Sequence, residues 1–218
     1  MNFIGITGGV GAGKSAILSY LAEKPNTKVM LADEIAHDLM EPGTDCYRQI
    51  VETFAGLDIF VENKSELLSG NEEIPAFDRK KLAQVIFSDS EKREQMNAIV
   101  HPAVKAYVDK QYALEKERGD LELLVLEAAL LIEQKYDEIC DELWYIYTSE
   151  ENRRSRLKIS RGYSDEKIDN IFRSQLGEAE FRASTQVTID NNGDLVETRK
   201  QIETALNRAG FKEKKADE

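Results

Sequence analysis

Two spacings of apolar residues organise this chain. The first is the short, nearly continuous run: "NFIGIT" (2–7), "KVMLA" (28–32), "LELLVLEA" (121–128), "ELWYIYT" (142–148) and "QVTID" (186–190). Runs of this length and density predict strands covered on both faces. The second is the helical spacing. Ile17, Leu18 and Leu21 share one face, as do Ile35, Ala36, Leu39 and Met40, and Tyr47, Ile50, Val51 and Phe54. "DRKKLAQVIF" places Leu82, Val85 and Ile86 together, and Ser88 with Glu91 reads as a capping box for the next helix. Pro102 is expected to open a long helix carrying Val104, Tyr107 and Val108. "GLDIFVENKSELLSGNEEIPAF" (56–77) reads as an irregular connector. Short polar helices fill 149–185, and a helix with Ile202, Ala205, Leu206 and Ala209 in register closes at Gly210, before a frayed "KEKKADE" tail.

Strands alternating with helices predict a three-layer α/β/α fold with a five-stranded parallel sheet. The core takes residues 1–44 and 120–218, a helical insert takes 45–119, and a lid takes 150–182 within the core. Ligands of such sheets bind beyond the carboxyl ends of the strands, an edge that Thr7, Asp33, Ala128 and Thr148 would line.

The segment between the first strand and its helix carries the chemistry. "GITGGVGAGKSA" contains Gly8-x-x-x-x-Gly13-Lys14-Ser15, and five of the nine residues Gly5–Gly13 are glycine. Backbone N–H groups can wrap a phosphate chain where side chains are missing, and a helix N-terminus adds its dipole. Lys14 supplies a mobile charge for the phosphates, and the Ser15 hydroxyl a ligand for Mg²⁺. The motif thus points to ATP and Mg²⁺.

Other candidates follow from position. Asp33, at the end of the second strand, can accept a proton from an acceptor hydroxyl; it can equally cap the next helix. His37, four residues on, either touches the acceptor or is a surface histidine. Glu127 ends the third strand, where an acid can hold a Mg²⁺-bound water or stand as an ordinary polar end residue. The stretch Arg153–Arg161 holds five basic residues and no acid. It reads as a lid whose arginines neutralise transition-state charge, against the alternative of a solvated helix face. "NKSE" (63–66) looks like a guanine-reading tetrapeptide but lies in the irregular connector, where it is a chance match.

Net charge over the 218 residues is −12, which argues against a broad duplex nucleic-acid surface. No apolar run approaches membrane-spanning length, and the N-terminus enters a strand at once, so neither a signal peptide nor a membrane segment is expected. Cys46 and Cys140 are far apart and outside any metal-binding spacing. They read as core residues of a cytosolic protein. The sequence leaves oligomeric state open.

From Phe3 to about Asp194 the chain resembles the dephospho-coenzyme A kinase family. The resemblance rests on "ITGGVGAGKS", "ADEIAHDLMEPG", "DRKKLAQVIFSD" with "MNAIVHP", "LEAALLIE" and "VTIDNNGD", in this order. It implies a phosphate-loop kinase that transfers the ATP γ-phosphoryl group to the ribose 3′-hydroxyl of dephospho-CoA, the last step of coenzyme A synthesis. It implies Gly11, Ala12, Gly13, Lys14, Ser15 and Ala16 as the ATP loop and Asp33 as base. Asn191 and Gly193 would lie near the adenine, and the helical insert would face the pantetheine arm. The chain departs from the family in three places. Leu31-Ala32-Asp33 stands for Asp-Ala-Asp, Glu127-Ala128-Ala129 for Asp-x-Pro, and the lid arginine aligns with Ser160, leaving Arg161 as the neighbouring candidate. Another small-molecule kinase of nucleoside or nucleotide type, or a non-catalytic nucleotide-binding module, remain the alternatives.

Overall fold

A computed structural model describes residues 1–67 and 73–211, with side chains left undescribed at 62–67 and 73–75. The C-terminal "KEKKADE" therefore lies outside the described residues, as does part of the 56–77 connector. In chain order the elements are β1 (Asn2–Thr7), α1 (Lys14–Ala22), β2 (Thr27–Leu31), α2 (Ala32–Leu39), α3 (Asp45–Thr53), β3 (Phe60–Leu67), β4 (Glu73–Phe77), α4 (Arg79–Ser88), α5 (Ser90–Arg118), β5 (Leu123–Glu127), β6 (Glu142–Tyr147), α6 (Glu150–Arg161), α7 (Asp165–Arg173), α8 (Glu178–Ser184), β7 (Val187–Asp190) and α9 (Leu195–Arg208). They form two compact units, one of Met1–Leu31 with the chain from Tyr112 onward, the other of Ala32–Gln111. The division falls at the end of β2 and inside α5, rather than at the insert limits 45 and 119 expected from the sequence.

The first unit is built on a parallel sheet of order β2-β5-β1-β6-β7. Side chains alternate across it because successive strand residues point to opposite faces. Ile4, Ile6, Leu123, Val125, Trp144, Ile146, Val187 and Ile189 meet Ile17, Leu18 and Leu21 of α1 and Ile202, Ala205 and Leu206 of α9. The other face carries Phe3, which stacks on Tyr112 of α5 at 5.1 Å, and Tyr145, which stacks on Phe181 of α8 at 4.7 Å. Both faces are covered, which explains why these strands read as unbroken apolar runs. β1 lies mid-sheet between β5 and β6, so its carboxyl end opens where strand order reverses.

In the second unit the stretch expected as an irregular connector contains a strand pair. β3 and β4 form an antiparallel pair, with Phe60 opposite Phe77 and Ser65 opposite Pro75. Polar residues dominate the first strand and a proline interrupts the second, so no alternation marks them. A two-stranded ribbon tolerates proline because both strands are edges. Phe77 stacks on Tyr47 of α3 at 4.6 Å, and Phe60 joins the same cluster with Val51. The "NKSE" tetrapeptide falls within β3, its side chains outside the described residues.

Pro102 does not open a helix; it sits inside the 29-residue α5. Proline removes one helical hydrogen bond and crowds the preceding turn. Here Met96, Val100, Val104 and Val108 are all buried at four-residue spacing on both sides of it, while Pro102 is exposed. Packing of that ridge carries the helix through the defect. The cap between α4 and α5 is Asp89 rather than Ser88: its carboxylate accepts from the N–H groups of Glu91 (2.9 Å) and Lys92 (3.2 Å).

Candidate functional site

The phosphate loop occupies Gly8–Gly13, between the end of β1 and the first residue of α1. Gly13 caps α1 in the left-handed region at φ 87°, and a Cβ there would lie 2.4 Å from the Asn191 amide nitrogen. Glycine is required on both counts. Lys14 begins the helix and turns back over the loop: its Nζ donates to the Gly8 carbonyl at 2.6 Å and lies 3.4 Å from Glu127 Oε1. Glu127 is placed there by sheet register, since it ends β5 directly beside Ile6 of β1. Both side chains are about 15% exposed (16% and 15%), so the pair is shielded but reachable. Ser15 and Ala16 follow in the first turn of α1, both exposed.

Side chains from neighbouring strand ends brace the loop from outside. The Ala12 carbonyl accepts from Asn191 Nδ2 (2.7 Å), Thr148 Oγ1 (3.0 Å) and an Arg156 Nη (3.3 Å). Asn191 is 3% exposed, and its Oδ1 accepts from Thr198 Oγ1 at 3.0 Å, so the amide is fixed at both ends. The next residue, Asn192, binds the Ser149 N–H and Asn152, tying β7's end to the start of α6. The "IDNNG" segment thus holds the loop and the lid base together through its two asparagines; Gly193, its last residue, is exposed.

In the lid region, Arg153 and Arg156 are the arginines at the loop. Arg153 Nε donates to the Val10 carbonyl at 2.9 Å, and its guanidinium stacks 4.3 Å from the Phe172 ring centroid. Burial lowers its pKa from the ordinary arginine value, which leaves the group protonated at neutral pH. Arg154 instead bonds Glu150, Asp165 and Asp169, fastening α6 to α7. Arg161, the candidate expected from the sequence, is exposed at the end of α6, with its guanidinium 5.8 Å from the Tyr163 ring. Ser160 bonds back to the Arg156 carbonyl.

Thr7 is fully buried at the end of β1, and its Oγ1 has no hydrogen-bond partner among the described residues. In the second unit Asp33 lies in the first turn of α2, exposed, and α2 begins one residue earlier, at Ala32. Asp33 is therefore inside the helix rather than its cap. His37 Nε2 meets an Arg79 Nη at 2.9 Å, and the other Arg79 Nη donates to Glu41 Oε1 at 2.6 Å. These exposed residues join "DEIAHDLME" to the start of α4.

A family model described as dephospho-CoA kinase matches residues 2–197. The chain belongs to the dephospho-CoA kinase family. The dephospho-CoA kinase of Shouchella clausii is 34% identical over 203 residues, covering 93% of this chain and 96% of the relative. That of Geobacter sulfurreducens is 35% identical over 203 residues, with the same coverage of 93% and 96%. A dephospho-CoA kinase structure from Campylobacter jejuni superposes with a TM-score of 0.62 at 19% identity, covering 95% of this chain and 96% of that one, and it shares the fold. The family is one of nucleotide-binding kinases.

The sequence singled out Lys14, Glu127 and the basic stretch of α6. It did not single out Gln175, which contacts Val10 (3.1 Å) and Arg153 (2.9 Å), or Arg79 beside His37. A glutamine in a polar helix–loop segment carries no local signal. Arg79 sits in "DRKKLAQVIFSD", where helical spacing and the family resemblance give it no role of its own.

Proposed function

We propose that this chain is a dephospho-CoA kinase, transferring the terminal phosphoryl group of ATP to the ribose 3′-hydroxyl of dephospho-CoA. Membership of the family over residues 2–197, combined with an intact loop and a cationic lid, supports this reading. The observation that carries it is Lys14, held over the loop by Gly8 and Glu127 and free to exchange those partners for phosphate oxygens.

In the reaction the 3′-hydroxyl oxygen attacks the γ-phosphorus, the bond to the β-bridging oxygen breaks, and ADP leaves. We assign the hydroxyl proton to the Asp33 carboxylate, which is exposed and therefore open to an acceptor. Loop amides and Lys14 neutralise charge on the β- and γ-phosphates. The Ser15 hydroxyl and Glu127 offer oxygen ligands of the hard type Mg²⁺ takes, few enough that phosphate oxygens and water complete its shell. Bound there, Mg²⁺ would supply charge neutralisation on the phosphates. Asn191 serves the ATP site by fixing Ala12. His37, bonded to Arg79, is assigned to contact the acceptor.

Both cysteines are free and buried, which suits a reducing compartment such as the cytoplasm. Among the described residues no helix is long and apolar enough to cross a membrane.

The test is ADP release by purified protein with ATP, Mg²⁺ and dephospho-CoA, set against a panel of nucleosides and nucleotides. ADP formation dependent on dephospho-CoA supports the assignment. Its absence, or a higher kcat/KM for a nucleoside, overturns it.

A further inference from the structure

Val10, at the crown of the phosphate loop, is gripped by two side chains from the lid. Its carbonyl accepts from Arg153 Nε (2.9 Å) and its N–H donates to Gln175 Oε1 (3.1 Å). The same Gln175 Oε1 accepts from an Arg153 Nη at 2.9 Å, closing a ring of three hydrogen bonds around one residue. Arg153 comes from α6 and Gln175 follows α7, and the Arg154 bonds to Asp165 and Asp169 tie those helices together. The guanidinium lies so close to the loop that a Cβ on Gly9 would stand 2.3 Å from its Cζ.

The consequence follows from peptide geometry. In a trans peptide the C=O and the following N–H point in opposite directions, and among the described residues no peptide bond is cis. Pinning the Val10 carbonyl toward the lid therefore turns the Gly11 N–H away from it. Pinning the Ala12 carbonyl through Asn191 and Thr148 does the same for Gly13. The Gly9 carbonyl, opposite the Val10 N–H, is taken up by the Ala12 N–H at 3.1 Å.

We propose that Arg153 and Gln175 form a latch on Val10 that presets the phosphate loop for nucleotide, making both of them positioning residues whose contribution is geometric. Arg153 acts through the loop, and its fork, not its charge alone, is what the latch uses. By linkage, nucleotide binding and the latched lid favour each other. The proposal deepens the nucleotide-site reading above and rests on it, but not on the identity of the acceptor.

The experiment is calorimetric titration of the full chain with ADP and with a non-hydrolysable ATP analogue, using Arg153→Gln, Arg153→Lys, Gln175→Ala and the Arg153→Gln/Gln175→Ala pair. Loss of a charge-assisted bond predicts about tenfold weaker ADP binding for Arg153→Gln. Arg153→Lys should not restore it, because an ammonium cannot span Val10, Gln175 and Phe172 together. The double variant should lose little more than the worse single one, since the ring is broken once. kcat at saturating ATP should change less than KM for ATP. Binding by Arg153→Gln within twofold of wild type, recovery by lysine, or full additivity overturns the latch. Gln175→Ala, at a half-exposed site, keeps the test open should the Arg153 variants fail to fold, as judged by thermal melting. Wild-type ADP binding without dephospho-CoA turnover would instead count against the acceptor assignment alone.

Discussion

The two units hold their polar groups in different ways. Around the loop of the sheet unit, the groups offered to a ligand are main-chain amides, and the side chains that set them are buried or half-buried: Asn191, Thr148, Arg156 and Arg153. In the unit of Ala32–Gln111, Asp33, His37, Glu41 and Arg79 are side chains on the surface or near it, and Arg79 bonds both His37 and Glu41. On the function proposed above, the difference suits two tasks. A phosphate chain is small and uniform, so fixed amides suit it and need no reorganisation. A large acceptor needs open access, and polar groups left in water cost little until it arrives.

That contrast predicts loop variants that damage every use of nucleotide, and variants in the second unit that damage acceptor use alone. The largest effect is expected from Lys14→Ala, which should lower turnover by about three orders of magnitude or more, read by ADP release. Asp33→Asn comes next: kcat should fall roughly 10²–10⁴-fold while ADP affinity by calorimetry stays within about twofold. Full turnover in that variant would remove Asp33 as base. Gly13→Ala forces a left-handed φ of 87° on alanine and drives its Cβ toward Asn191. It should weaken ADP binding about tenfold through strain of about 1–2 kcal/mol. Arg79→Ala should raise the acceptor KM about fivefold and leave the ATP KM alone; a rise in both would blur the division between the units.

The smallest expected effect concerns stability. Burial holds the His101 imidazole below its ordinary 6.5, and its Nε2 lacks a hydrogen-bond partner among the described residues. The unfolded chain therefore takes up a proton that the folded one resists. Stability is full above about pH 6.5 and declines as pH falls below it. Urea melts at pH 7.5 and 5.5 should show this loss in the wild type and a smaller one in His101→Gln; equal losses would remove His101 as the cause.

Local patterns made much of this legible. Five strands announced themselves because a strand covered on both faces has no polar positions to dilute it, as Leu123–Leu126 illustrates, all four fully buried. The loop was legible because glycine, lysine and serine at set offsets have few other uses. The β3–β4 ribbon was not, since its stability comes from Tyr47 and Val51 of a different element. The run of α5 through Pro102 was not, because a propensity rule is local whereas the Met96–Val108 ridge is packing.

For this protein the order of residues alone decided the five strands of the parallel sheet, the glycine turn, the lysine and serine beside it, and the kinase family those motifs mark. Such features depend on neighbours within a few positions, where backbone preference and side-chain period act. Only the folded arrangement decided which lid arginine reaches the loop, that Asn191 braces Ala12, and that Gln175 holds Val10. Each of those contacts joins residues more than 140 positions apart, and nothing in local spacing encodes a meeting that the sheet's strand order creates.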